Sequence, residues 1–265
     1  MTVTTVSIPA YCETEESQNQ SHYLIGVLLP TYCEAENIGN LIREIQELDL
    51  DTIITVVDDS SPDDTSKVVK KLQNKFHNIH LICRESKSGL GTAIVTGFRF
   101  FLDLPYPPDF IITMDSDYSH NPRDIVRLVN HASKGNDLVI GSRYVKRGTS
   151  RNWPLKRQLI SRVANILASL VVGRRIKDCT SGFRCYSRDY VQRVLPSLHS
   201  TTYEIQIETL RQGRLGHFSI KEIPITFVER KKGKSKLSGD EIRAFLNYTA
   251  KSLLSNLPFS NSRNQ

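Results

Sequence analysis

From Tyr23 to Arg143 the chain alternates short apolar runs with stretches of helical period, and this rhythm confines the first half to a mostly parallel sheet flanked by helices. Parallel neighbours cannot be joined by a tight turn, so each pair needs a crossover of the kind the amphipathic stretches supply. Five strands are expected: "YLIGVLLP" (23–30), "TIITVVDD" (52–59), "NIHLIC" (78–83), "DFIITMDSD" (109–117) and "DLVIGSR" (137–143). Helical patterns lie near 36–48, 64–76, 90–102 and 122–134, the second opened by "SSPDD", whose Pro62 suits a first helical turn. In this α/β architecture ligands collect beyond the carboxyl ends of the strands.

After Gly141 the rhythm changes. A long helix is expected over 156–172, with Leu159, Val163, Ile166, Leu167 and Leu170 on one stripe, and a second over about 203–212. An apolar strand follows at "HFSIKEIPITFVE" (217–229), then the cationic loop "RKKGKSKLSG", then an amphipathic helix from Asp240 carrying Ile242, Phe245, Leu246, Leu253 and Leu254. That last stripe suits either packing on the sheet or lying on a membrane surface. The boundaries expected are a loose tail over 1–22, which lacks the cationic start and apolar run of a signal peptide, one α/β domain over 23–238, and a terminal amphipathic helix and tail over 239–265.

A composition of 39% hydrophobic and 24% charged residues is that of an ordinary soluble protein. The longest apolar run, "ANILASLVVG", falls short of the roughly 18 residues of a spanning helix. Five cysteines with no C-x-x-C pair are expected to be reduced thiols in a cytoplasmic compartment. The charge is divided along the chain: 11 Lys and Arg against 20 Asp and Glu up to Gly141, then 24 against 8, which gives balances of −9 and +16. The basic half is expected to meet something anionic, whether phosphate groups or a lipid headgroup surface; no nucleic-acid-binding motif is present.

Four strand ends, "PTYCEAEN", "VDDSSPDD", "MDSDYSH" and "GSR", outline one crevice. Successive side chains of a strand point to opposite faces, so Asp115 and Asp117 at the end of the 109–117 strand are expected to share one face and to converge on one cation, of the hard kind that prefers oxygen ligands and completes its shell with substrate phosphates. Acidic pairs also cap helices and shape turns, and "DDSSPDD" would serve equally as a helix entry. The glycines of "SKSGLGTA" allow close backbone approach to a phosphate, or simply start a helix.

The segments "LLPTYCEAENI", "VVDDSSPDDT", "GLGTA", "MDSDYSHNP", "VIGSRYV", "KRQLIS", "TSGFR" and "RKKGKSK" occur in the order and approximate spacing found in dolichol-phosphate (polyprenol-phosphate) mannosyltransferases, and over about residues 24–250 the chain resembles that family of inverting GT-A-fold glycosyltransferases. The resemblance implies nucleotide contacts from Pro30, Tyr32, Glu34 and Asp59, with Asp58 close by, and from the loop bearing Gly89 and Gly91. It implies Asp115 and Asp117 as ligands of Mg²⁺ or Mn²⁺, with Ser119 standing where many relatives carry a glutamine that joins the metal shell. It further implies that Arg143, Arg157, Ser161, Arg230 and Lys236 hold the phosphates of acceptor and donor, a task for which the arginine fork is suited. A lipid monophosphate, with a second pKa near ~6, is largely ionised at neutral pH and needs a cationic cradle, not a general base.

The expected reaction is transfer of mannose from GDP-mannose to a dolichyl or polyprenyl phosphate, on the cytoplasmic face of a membrane. Some relatives continue into transmembrane helices, so attachment here would be peripheral or through a membrane-anchoring subunit. The alternatives are a UDP-glucose-dependent polyprenyl-phosphate glucosyltransferase, a hydroxyl-acceptor glycosyltransferase, and a non-catalytic nucleotide-sugar-binding scaffold. Intact "DSD" alongside Arg143, Arg157, Arg230 and Lys236 argues against the scaffold.

Overall fold

Every apolar run of the first half becomes a strand. The computed structural model describes residues 23–173, 175–229 and 239–255. In chain order the elements are β1 (Leu24–Thr31), α1 (Ala35–Gln46), β2 (Asp51–Asp58), α2 (Thr65–Gln73), β3 (Ile79–Cys83), α3 (Leu90–Leu102), β4 (Phe110–Thr113), α4 (Asp124–Ala132) and β5 (Leu138–Ser142). There follow β6 (Thr149–Arg151), α5 (Leu155–Val172), β7 (Arg184–Ser187), α6 (Arg188–Val194), α7 (Ile205–Leu215), β8 (Ile220–Pro224), β9 (Thr226–Val228) and α8 (Gly239–Ser255).

The main sheet has the order β3-β2-β1-β4-β7-β5-β8. β1 pairs in parallel with both β2 and β4, and β5 with β8, while β7 runs antiparallel between β4 and β5. The chain leaves β1 towards β2 and β3 on one side and returns to β4 on the other, so the sheet has a switch point between the carboxyl ends of β1 and β4, where a crevice opens.

Alternation along the strands sends apolar side chains to both faces. Val27 and Leu29 of β1 join Ile54 and Val56 of β2 in a core closed by Ile38, Leu41 and Ile42 of α1, Val69 of α2, and Ile125 and Leu128 of α4. Leu28 and Val57 point the other way, to Phe98 and Phe101 of α3, Val171 of α5, Tyr190 of α6 and Leu210 of α7. Full burial of each such side chain stabilises by roughly 1.5–3 kcal/mol.

Three expectations need correction. β4 ends at Thr113, so Asp115 and Asp117 lie in the loop beyond the strand. Helix α2 begins at Thr65, leaving Pro62 in the preceding turn. The 217–229 run is two strands: β8 joins the main sheet, and β9, past Ile225, pairs with β6 in a separate two-stranded ribbon. The α5 stripe faces outward, with Leu159, Val163, Ile166 and Leu170 exposed, while Asn165, Ala168, Val171 and Val172 form the buried face. On α8, Phe245 and Leu253 pack against the core whereas Ile242, Leu246 and Leu254 are exposed, so that helix divides its apolar residues between two directions.

Gly91, in the first turn of α3, donates its N–H to the Thr201 carbonyl at 2.9 Å. A Cβ there would lie 2.2 Å from the Ser200 carbonyl oxygen, which is backbone and cannot swing aside. Gly91→Ala should therefore lower unfolding free energy by about 1–3 kcal/mol, the scale of overpacking, as read by denaturant titration.

Candidate functional site

At the switch point the ends of β1, β2 and β4 are tied together by polar side chains. Asp58, fully buried, accepts from the Thr31 hydroxyl at 2.8 Å and the Ser61 N–H at 3.0 Å, so it holds the crevice together and does not face it. Asp59 takes the Arg84 guanidinium on one oxygen and the N–H groups of Ser88 and Gly89, both at 3.2 Å, on the other. Gly89, at φ 93°, is in the conformation that glycine adopts without strain. Glu34 accepts from Asn37 at 2.8 Å, and the Lys87 ammonium sits 4.6 Å from the centroid of the Tyr32 ring. A small cavity of about 100 Å³ is lined by Pro30, Tyr32, Glu34, Asp59 and Gly89 among others. Asp58 and Gly91 do not line it; Gly91 is spent on packing α3 against residues 200–201.

The loop after β4 carries the acidic pair. Ser116 donates to the Pro30 carbonyl at 3.0 Å and the Ser119 N–H to Asp117 at 3.0 Å, with Tyr118 at φ 61° completing the bend. These contacts, and not strand alternation, bring Asp115 and Asp117 to the same place. His120 is buried, stacked 5.0 Å from Phe183, and its Nδ1 lies 3.4 Å from the Asp115 N–H. Burial holds its pKa below the ordinary histidine value against the opposing pull of Asp115 and Asp117, so the imidazole is neutral.

A second cavity, of about 530 Å³, opens on the other side of the aspartates. Its polar end carries Arg143, Arg157, Trp153 and Ser161, and its flank is apolar, with Leu159, Val163 and Leu167 of α5 facing Phe245 and Leu246 of α8. Arg143 is held rigidly. Its Nε donates to Asp178 Oδ2 at 2.8 Å, its Nη2 to Asp178 Oδ1 at 2.6 Å and Thr180 Oγ1 at 2.7 Å, and its backbone N–H to Asp178 at 2.8 Å. Asn165 of α5 binds Thr180, and Glu222 of β8 accepts the N–H groups of Lys177 and Asp178, both at 2.9 Å. Arg157 pairs with Glu229, and both arginines lie against the Trp153 ring, at 5.3 and 4.8 Å from its centroid. The Ser161 hydroxyl accepts from Tyr144 at 2.8 Å. Arg230 and Lys236 lie outside the described residues.

Asp115 and Asp117 fit a hard divalent cation, as they are paired oxygen ligands that line both cavities where these meet. The buried Ser119 hydroxyl in the same loop has no hydrogen-bond partner. No third His, Cys, Asp or Glu joins the aspartates in a metal-holding cluster among the described residues. Sequence reasoning did not single out His120, Trp153, Asp178, Tyr203, Glu222, Glu229 or Glu241. His120 lay inside a quoted motif and Trp153 is the chain's single tryptophan, whereas the rest become legible only through contacts far along the chain.

Residues 26–195 match the model of the glycosyl transferase family 2 domain. The chain is 39% identical over 219 residues to a polyprenol monophosphomannose synthase of Mycolicibacterium smegmatis, covering 82% of each chain. It is 37% identical over 214 residues to an undecaprenyl-phosphate mannosyltransferase of Micrococcus luteus, covering 80% of this chain and 86% of the relative. Among solved structures, glucosyl-3-phosphoglycerate synthase of Mycobacterium tuberculosis, in complex with Mn²⁺, UDP and glucosyl-3-phosphoglycerate, superposes with a TM-score of 0.64 at 21% identity. That match covers 95% of this chain and 86% of the other, and the shared fold is of the GT-A type.

Burial pushes the Asp178 carboxyl up, but the Arg143 guanidinium and the hydrogen bonds from it hold the group below the usual carboxylate range. Its contribution to stability is therefore present above the ordinary value near ~4 and is lost as pH falls through the lowered folded value. Asp178→Asn should cost about 3–5 kcal/mol at neutral pH, because it leaves a buried guanidinium unbalanced. It should also flatten the acid limb of the stability curve, as read by urea titration from pH 7 down to pH 3.

Proposed function

The chain belongs to glycosyl transferase family 2, among the polyprenol-phosphate mannosyltransferases, and from that premise we propose that it transfers mannose from GDP-mannose to a polyprenyl phosphate with inversion at the anomeric carbon. The observation that carries this reading is the junction of two unlike cavities at Asp115 and Asp117. The small one is polar and sized for phosphates; the large one joins two arginines to an apolar flank, which matches an acceptor with an anionic head and a hydrocarbon tail.

Tyr32, Glu34, Asp59 and the Gly89 loop receive the nucleotide. Mg²⁺ or Mn²⁺, held by Asp115 and Asp117 with Ser119 beside them, would act as a Lewis acid that stabilises charge on the departing diphosphate. Arg143, already fixed by Asp178, presents its guanidinium to the acceptor phosphate, and Arg157 exchanges the Glu229 carboxylate for a phosphate oxygen. Arg230 and Lys236 are assigned to the same cradle from the sequence. In the displacement an acceptor phosphate oxygen bonds to the anomeric carbon as the bond from that carbon to the diphosphate oxygen breaks. One negative charge passes from acceptor to leaving group, no proton is transferred, and an α-linked donor gives a β-linked product.

No helix among the described residues is long and apolar enough to cross a membrane. The exposed apolar residues of α5 and α8 support attachment to the cytoplasmic face of a membrane by insertion at its surface, with or without an anchoring subunit. Residues 1–22 are assigned as a tail and 239–265 as the membrane-surface segment of a domain spanning 23–238.

Radiolabelled mannose should pass from GDP-mannose to a short polyprenyl phosphate, stop in EDTA and resume with Mg²⁺ or Mn²⁺, and Asp117→Asn should be slower by at least ~100-fold, the scale of losing one electrostatic stabiliser. Full activity in chelator, or unphosphorylated polyprenol accepting as well as the phosphate, would overturn the reading. Ile166 is 62% exposed and lies outside the cavity lining. Ile166→Glu should therefore weaken co-sedimentation with anionic vesicles about 10- to 100-fold while leaving GDP affinity unchanged, since it removes one inserted side chain worth roughly 1.5–3 kcal/mol.

A further inference from the structure

The two cavities share four lining residues: Asp115, Asp117, Tyr203 and Glu241. A group that leaves a diphosphate in one cavity and arrives on a phosphate in the other has to sit where they meet, because displacement needs nucleophile, carbon and leaving oxygen aligned within about 3–3.5 Å of reacting distance. Two of the four shared residues are the acidic pair already described. The other two come from distant parts of the chain, Tyr203 from the segment ahead of α7 and Glu241 from the first turn of α8.

Among the described residues no group of three or more His, Cys, Asp and Glu is arranged to hold a metal, and we assign the cation to the acidic pair alone and Glu241 to another task. Nor is Glu241 required as a base, because a phosphate nucleophile brings no proton to remove. A carboxylate that accepts from two hydroxyls and a phenol that both donates and accepts are, however, complementary to the ring of hydroxyls on a hexose. We propose that Glu241 and Tyr203 bind hydroxyls of the transferred sugar and set which hexose the enzyme accepts. This rests on the sugar-nucleotide donor reading above. It gives α8 a second task, because the turn that carries Glu241 is followed directly by Ile242 and then Leu246, both of which face the apolar cavity. The helix that borders the lipid-like cavity thereby also completes the sugar pocket.

The test compares affinities for nucleoside diphosphate and for the matching sugar nucleotide by calorimetry with Mg²⁺, in the full chain and in Glu241→Gln and Tyr203→Phe. The nucleotide used is whichever of GDP-mannose and UDP-glucose the unaltered enzyme turns over with polyprenyl phosphate. Turnover of neither would overturn the donor reading and this inference with it, before any variant is compared. Glu241→Gln should lose about 10- to 100-fold in affinity for the sugar nucleotide and Tyr203→Phe about 3- to 10-fold, with diphosphate affinity unchanged in both, because only the sugar loses a hydrogen-bond partner. Parallel loss for diphosphate and sugar nucleotide would place the residues on the nucleotide or on the fold and overturn the proposal. No loss for either ligand would do the same.

Discussion

The buried pair of Arg143 and Asp178 is the constraint on which the second half of the molecule depends. An arginine only 8% exposed, just past the end of β5, is tolerable only with a carboxylate and further acceptors around it. Asp178 supplies the charge, Thr180 an additional oxygen, Asn165 fixes Thr180 from α5, and Glu222 fixes the Asp178 backbone from β8. Four segments far apart in sequence are thus pinned around one side chain, and three of them, the end of β5, α5 and the 178–182 loop, form walls of the large cavity.

The division of charge along the chain has a topological cause. The parallel strands of the first half bring their acidic ends to the switch point, where they surround the small cavity with Glu34, Asp59, Asp115 and Asp117. The second half enters the same sheet through the antiparallel strand β7 and through β8, and so lays its arginines across the aspartates from the other side. An excess of acid around one cavity and of base around the other would oppose a nucleotide by itself. In the proposed reading a divalent cation would balance the aspartates, and the arginines opposite would balance phosphate, so that each charge acquires its counterpart.

The parallel half was legible because apolar runs of four to eight residues, separated by amphipathic stretches, admit few folds. The end of β4 was not, because "MDSD" continues the strand pattern while Ser116 and Tyr118 turn the chain back onto Pro30 through contacts invisible in sequence. β7, "RCYS", is short and polar at both ends, and its apolar residues declare themselves only between β4 and β5. Periodicity placed the stripe on α5 correctly but said nothing of what lies opposite it. The structure buries the neighbouring face and leaves the stripe outward, the arrangement of a surface meant for another apolar phase. Asp58 and Gly91 fall in segments that the resemblance places beside the nucleotide, because motifs mark important residues without separating those that line a crevice from those that shape it.

Arg143 and Arg157, alike in sequence as cations flanking one tryptophan, differ in how they are held. Arg143 has a fully buried partner bound through several hydrogen bonds, which an entering phosphate has no means of displacing, so its guanidinium keeps one position throughout. The side chain of Glu229, by contrast, is 26% exposed, and its second oxygen is buried without a hydrogen-bond partner. Because that pair is partly exposed, it is held less firmly than the enclosed pair of Arg143 and Asp178. The two arginines are therefore held differently: one is fixed by an enclosed, multiply bonded carboxylate, the other by a single partly exposed one. Trp153, against both rings of charge, supplies a surface that stabilises either guanidinium without adding a negative charge to repel the phosphate.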